Sequence, residues 1–171
     1  MAKEKQRGSP ERRTATRPQP SASADIAIRE GEARDIAAVV ALDAQVTGLP
    51  KPEFWQEFAE PRTRRAEPRH FLVAEPPGGG RLLGFIIGEV RAWEFGSPPC
   101  GWVFAISVDP RTRLAGIGSL LLAAIEDRFR ADGVTLMRTM MARDNHLLMS
   151  FFRSQGMMAG PFIPLEMDLG P

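Results

Sequence analysis

The run Trp102-Val103-Phe104-Ala105-Ile106-Ser107-Val108 is almost wholly apolar, and Asp109-Pro110 stops it. Such a run matches a strand covered on both faces. A short segment with two glycines follows. Then Ile117, Leu120, Leu121, Ala124, Ile125, Arg128 and Phe129 recur at helical spacing. They predict a helix of about four turns beginning at or near Gly116 and ended by Asp132-Gly133. A buried strand that feeds an amphipathic helix belongs to a layered α/β architecture.

The flanking sequence supplies the other layers. Ile26 and Ile28 alternate with Ala27 and Arg29 as a short strand. Ile36, Val39, Val40 and Leu42 share one face of a helix, with Glu32 and Asp35 in its first turn, where the helix dipole favours acids. Gly48 and Pro50 break it. A second helix runs from Glu53 to about Glu60, and Pro61 ends it. Phe71 to Ala74 and Leu82 to Trp93 read as an antiparallel pair around Pro76-Pro77-Gly78-Gly79-Gly80. Val134 to Met141 reads as a strand. Asn145 to Ser154 reads as a helix with Leu148, Met149 and Phe152 inward and Gly156 as its cap. Phe162 to Leu169 reads as a last strand. The expected fold is a mixed, mostly antiparallel sheet of about 6–7 strands with helices on both faces.

Length and composition agree with one folded domain, over residues 25–171. Residues 1–24 hold six Lys/Arg and two Glu, a charge of +4, in a Pro- and Ser-rich context that predicts a disordered basic tail. With a total of +1, the remainder carries about −3, so a basic body suited to nucleic acid is missing. No apolar run approaches the roughly 18 residues that span a bilayer, and no secretory pattern opens the sequence. Cys100 is the only cysteine. No His/Cys/Asp cluster has metal-ligand spacing. A cytoplasmic protein, monomeric or homodimeric and binding no metal, membrane or nucleic acid, is the expectation.

The chemistry centres on Arg113-Leu114-Ala115-Gly116-Ile117-Gly118-Ser119. Gly116 and Gly118 allow close approach to the backbone. The first N–H groups of the helix have no partner within it and form an anion site. Arg113 adds a charge-assisted donor. The three-glycine spacing of a dinucleotide fingerprint is absent. About 25 residues downstream stands Asp144-Asn145-His146-Leu147-Leu148-Met149-Ser150-Phe151-Phe152-Arg153-Ser154-Gln155-Gly156-Met157. An R-x-x-G-x-G after a V-x-P strand end, followed by an Asn-initiated helix with an aromatic seven residues on, resembles the GCN5-related N-acetyltransferase (GNAT) superfamily. Ile28-Arg29 with Asp35-Ile36 is similar to that family's first strand and helix. The likeness covers about residues 25–169. Within the family, the Ala-Arg-Asp-Asn run looks most like the protein (ribosomal-protein-type) acetyltransferases.

The resemblance implies acetyl-CoA as co-substrate. Backbone groups of Ile106, Ser107 and Val108 would pair with its pantetheine arm, and N–H groups from Leu114 to Ser119 would hold its pyrophosphate. Asn145 would hydrogen-bond it, and Phe152 would sit beside the thioester sulfur. The acceptor would be a primary amine, a protein lysine or N-terminus ahead of a small amine.

The family's usual acid is a tyrosine where this chain has Phe152, and the sequence holds no tyrosine at all. Neither Gly101–Ile106 nor Leu136–Met141 contains the glutamate that usually serves as base. Glu89 is the candidate substitute, on a strand that resembles one lining the acceptor groove, in an apolar context. Glu94, Asp144 and His146 are weaker candidates. His70 reads as structural and Cys100 as a loop thiol. The empty acid and base positions leave a second reading open, a catalytically weak acyl-CoA-binding sensor.

Overall fold

The structure, a computed structural model, describes residues 26–59 and 68–170, with the side chains at 59, 95 and 113–115 outside that description. The basic tail and the arginines at positions 62, 64 and 65 lie outside the described residues. Residues to Ala142 form one compact unit, and Arg143 onward belongs to a second that is described separately.

The first unit runs β1 (Ala27–Glu30), a 3-10 turn (Ala33–Asp35), α1 (Ile36–Thr47), α2 (Pro52–Ala59), β2 (Arg69–Glu75), β3 (Gly84–Arg91), a 3-10 turn (Glu94–Gly96), β4 (Cys100–Val108), a 3-10 turn (Pro110–Ala115), α3 (Ile117–Ala131) and β5 (Met137–Thr139). The strands lie in sequence order in one sheet. The first four pair antiparallel, and β5 runs parallel to β4.

The period of two along each strand divides the core between the two faces. Val73, Phe85 and Ile87 point to one face, under Ile36, Val39 and Leu42 of α1 and Trp55 of α2. Trp55 meets Phe85 edge to face at 5.4 Å. Its indole N–H donates to the buried Asp43 of α1 at 3.0 Å, and Lys51 completes the pairing at 2.9 Å. Burial of each large apolar side chain contributes about 1.5–3 kcal/mol.

On the other face lies α3, with Ile117, Leu121, Leu122, Ile125 and Phe129 buried. The helix comes close because Gly88 and Gly101 offer no side chain. A Cβ on either would stand 2.7 Å or 2.4 Å from the Phe129 ring. Both faces are therefore covered by helices, as the sequence predicts.

The edges of the elements differ from the expectation in three places. The strand expected over Val134–Met141 shrinks to Met137–Thr139. β4 begins at Cys100, so that thiol is a buried strand residue and not a loop thiol. Phe104 is 44% exposed, against the expectation of burial on both faces. The cause is a bulge. Ile87 pairs with Ala105 while Gly88 pairs with Val103, so Phe104 is the extra residue of β4.

In the second unit, α4 (His146–Ser154) begins after Asn145, whose Oδ1 accepts from the Leu148 N–H at 3.1 Å. Gly156 follows it in the left-handed region, at φ 89°. The strand expected over Phe162–Leu169 is absent, and this stretch has no regular secondary structure. Pro161 and Pro164 each remove a backbone donor there, which weakens any ladder. Among the described residues the sheet has five strands where about 6–7 were expected.

Candidate active site

The bulge at Phe104 decides the shape of the site. β5 pairs with β4 only from Gly101 to Val103. Two bonds close that pairing, from the Gly101 N–H to the Leu136 carbonyl at 2.9 Å and from the Thr139 hydroxyl to the Val103 carbonyl at 3.0 Å. Past Val103 the two strands part. From Phe104 to Val108, β4 has no strand partner on that side among the described residues. Ile106, Ser107 and Val108, singled out from the sequence, lie on this open edge. Backbone N–H and C=O groups on such an edge are ready to bond an extended ligand as a further strand.

The open edge runs into the 3-10 turn Pro110–Ala115 and then into α3. Asp109 shapes the turn, and the sequence reading saw it only as a strand stop. Its side chain is buried, at 2% exposure. One oxygen accepts from the Arg111 N–H at 2.9 Å and Nε at 3.1 Å, and the other from Arg111 Nη2 at 3.0 Å. Its carbonyl accepts from Thr112 N at 2.9 Å and Oγ1 at 3.1 Å, and its own N–H donates to Leu83 O at 2.9 Å. The Arg111 side chain, then its N–H, hold the carboxyl down at about 2 despite burial, with Arg81 adding a third, longer contact at 3.4 Å. The signal in the sequence was Asp followed by Pro, the pattern of an N-cap with proline at the first helical position.

Gly116 joins the turn to α3 at φ 75° and ψ 7°, a left-handed conformation that favours glycine. It is the N-cap residue of α3, with no side-chain cap, and a Cβ built there would meet nothing within 4 Å. The N-cap of α3 thus offers its first turn no side-chain partner, and the Cβ side of Gly116 is open. Ile117 and Gly118 lie in the first turn, with Ser119 beside them. The side chains of Arg113, Leu114 and Ala115 lie outside the described residues.

Glu89 sits elsewhere on the sheet, on β3, opposite Trp102 in β4. Its surroundings are not the apolar ones expected. Oε2 accepts from Arg69 Nη2 at 3.2 Å and Oε1 from Arg91 Nε at 3.3 Å. The side chain is only 6% exposed. Period-two alternation puts Phe85, Ile87, Glu89 and Arg91 on the same face, and that face is opposite α3. The Arg91 guanidinium lies 5.5 Å from the Trp102 ring and 5.4 Å from the Phe104 ring. Sequence reading missed this cluster because strand register, a long-range property, brings Arg91 to Trp102 and Phe104.

The remaining candidates have structural partners. His70 Nε2 stands 2.6 Å from Asp132, and its ring meets Phe129 edge to face. Arg138 Nη1 donates to the Cys100 sulfur at 3.4 Å. Glu94 pairs with Arg91 at 3.4 Å. In the second unit, Phe152 is buried and packs on Phe151, Asn145 spends its side-chain oxygen on the helix cap, and Asp144 and His146 are exposed. Among the described residues no group of three or more His, Cys, Asp or Glu could hold a metal, and no helix is long and apolar enough to cross a membrane.

Solved structures share this fold. An aminoglycoside N-acetyltransferase solved with CoA matches 85% of this chain and 95% of its own at a TM-score of 0.72 and 16% identity. An aminoglycoside 6'-N-acetyltransferase from Acinetobacter baumannii gives 0.69 at 17% identity, over 85% and 99% of the two chains. A ribosomal-protein-alanine N-acetyltransferase from Brucella melitensis biovar Abortus gives 0.67 at 18%, over 84% and 99%.

Two curated relatives are more similar in sequence over shorter spans. Mycothiol acetyltransferase of Kocuria rhizophila is 32% identical over 53% of this chain, and L-2,4-diaminobutyric acid acetyltransferase of Nocardia farcinica is 35% identical over 47%. The matches span 30% and 39% of those relatives' own lengths. The description Acetyltransferase (GNAT) family matches residues 37–157, a stretch of sequence that includes β4, α3 and the segment from Asn145. The chain belongs to the GNAT acetyltransferase family.

Proposed function

We propose that this chain transfers an acetyl group from acetyl-CoA to a primary amine by direct attack. One observation carries the reading: the unpaired edge Phe104–Val108 leads through the Asp109-shaped turn and Gly116 to an uncapped helix N-terminus. An amide-bearing arm that ends in a pyrophosphate needs these features in this order. The edge offers a ladder to the pantetheine amides, and the first N–H groups of α3 meet the pyrophosphate. Asn145 and Phe152 keep the roles that the family resemblance implies for them.

In the reaction the neutral amine nitrogen attacks the thioester carbonyl and the C–S bond breaks. The attacking nitrogen gives up a proton, and the departing thiolate takes one up. A lysine-like amine is neutral about once in 2,500 molecules at pH 7, a handicap of roughly 4.6 kcal/mol that a base or a desolvating site must offset. The oxyanion draws on strand N–H groups near Ser107 and Val108. Thiolates near pKa 8.5 leave readily, so the Phe152 position tolerates the loss of a tyrosine acid. Glu89 is the base in this reading. Each of its oxygens already accepts from an arginine, so in this reading it takes the proton through a bridging water.

The acceptor side is tested with polypeptide amines, the acceptors drawn from the sequence resemblance, and with small amines of the kind named for the relatives. Thiol release from acetyl-CoA above the hydrolysis rate, dependent on one of these amines, supports the proposal. Glu89→Gln should then lower kcat, with the KM for acetyl-CoA close to unchanged. The absence of tyrosine and the double pairing of Glu89 favour the second reading, an acyl-CoA-binding sensor. Tight acetyl-CoA binding without turnover on any amine would establish that one instead.

A further inference from the structure

We infer that Arg91 holds a carboxylate of the acceptor, so that the acceptor is a zwitterion: a small primary amine that also carries a free carboxylate. The inference rests on the acetyltransferase reading and names its substrate class.

Arg91 is fixed on three sides. Its guanidinium carbon lies 5.5 Å from the Trp102 ring centroid and 5.4 Å from that of Phe104, its Nε donates to Glu89 at 3.3 Å, and Nη1 stands 3.4 Å from Glu94. That last separation is long for a hydrogen bond, and no described residue accepts from Nη2. The side chain is 31% exposed, so a guanidinium already held by two cation–π contacts and by Glu89 remains open to solvent. The planar fork of arginine matches a carboxylate with two parallel bonds. Fixing it beforehand removes much of the ordering cost of binding.

Position ties this fork to the reaction. Phe104, beneath Arg91, is the bulge residue at which the open edge of β4 begins. A carboxylate on Arg91 therefore brings the rest of a small molecule beside that edge. Charge narrows the class further. Among the described residues, Arg69 and Arg91 balance Glu89 and Glu94. A polycation finds no surplus of negative charge there. A zwitterion finds both signs, its carboxylate on Arg91 and its ammonium beside the 39%-exposed Glu94.

The test compares matched acceptors on the full chain: L-2,4-diaminobutyrate, L-ornithine and L-lysine, each against its carboxamide, together with an aminoglycoside. The free acids should exceed their carboxamides in kcat/KM by about tenfold or more, because a site built for a charged partner rejects the analogue that lacks it. Arg91→Gln should erase the preference by raising KM for the acids more than for the carboxamides, with the KM for acetyl-CoA within about twofold; a fall in kcat that reaches both acceptors through Glu89 leaves this comparison of KM intact. Arg91→Lys should restore part of it, which a merely misfolded variant would not do. Equal use of acids and carboxamides by the unaltered chain overturns the inference alone, as does an equal change of KM for both in Arg91→Gln. Acetyl-CoA binding with no amine acetylated overturns the inference and the acetyltransferase reading together.

Discussion

Among the described side chains of the turn between β4 and α3, Asp109 makes the most hydrogen bonds. Its carboxylate caps the turn and fixes Arg111, while its backbone ties the turn to Thr112 and to Leu83. It touches no part of the proposed ligand path itself, so it acts by positioning. Asp109→Ala should weaken acetyl-CoA binding by about fivefold, the usual scale for a lost cap, with kcat close to unchanged. Asp109→Asn keeps an acceptor for the Arg111 N–H and should recover part of the affinity. Calorimetric titration with acetyl-CoA, beside KM and kcat, separates this from general unfolding, which would lower the active fraction and leave KM alone.

At the scale of elements, two glycines illustrate two different constraints. Gly88 is needed for room: a Cβ there would lie 2.7 Å from both the Phe129 ring and the Trp102 carbonyl oxygen. Gly88→Ala pushes α3 off the sheet and should cost about 1–3 kcal/mol, seen as a fall in Tm. Gly116 is needed for conformation, because space is open before it while φ is 75°. Gly116→Ala should cost about 1–2 kcal/mol and weaken acetyl-CoA binding as well, since a methyl group then faces the anion. Gly88→Ala should leave that affinity intact in the folded fraction. Helices such as α3 were legible because their apolar spacing is local. The bulge at Phe104 was not, because it exists only in the register between β3 and β4. β5 pairs with β4 only up to Val103, just before that bulge, and leaves the edge beyond it open among the described residues.

For the molecule as a whole, the layering was legible and the charge network only in part. Strand alternation and helix faces sufficed to place helices on both sides of the sheet. The pairing of Arg29 with Asp35 joins two motifs quoted from the sequence, but Glu75 was not foreseen as their third member. Arg29 donates to Asp35 at 2.7 and 2.9 Å and to Glu75 at 2.9 and 2.9 Å, which fastens β1 and β2 to the start of α1. The Arg29 hydrogen bonds hold both carboxyls below their ordinary values of 3.8 and 4.5, and Arg111 holds Asp109 at about 2. Each group is ionised more readily in the folded chain than in the unfolded one. Their contribution is therefore complete above the unfolded values, and it is lost as pH falls through the folded ones. Thermal unfolding followed by circular dichroism should show a Tm that is level on their account above about pH 5 and falls from there toward pH 2. Asp109→Asn removes one of the three groups, and its fall in Tm between pH 4 and 2 should be visibly shallower than that of the unaltered chain. A slope identical in both would mean that Asp109 is ionised as readily in the unfolded chain, against the geometry of its pairing with Arg111.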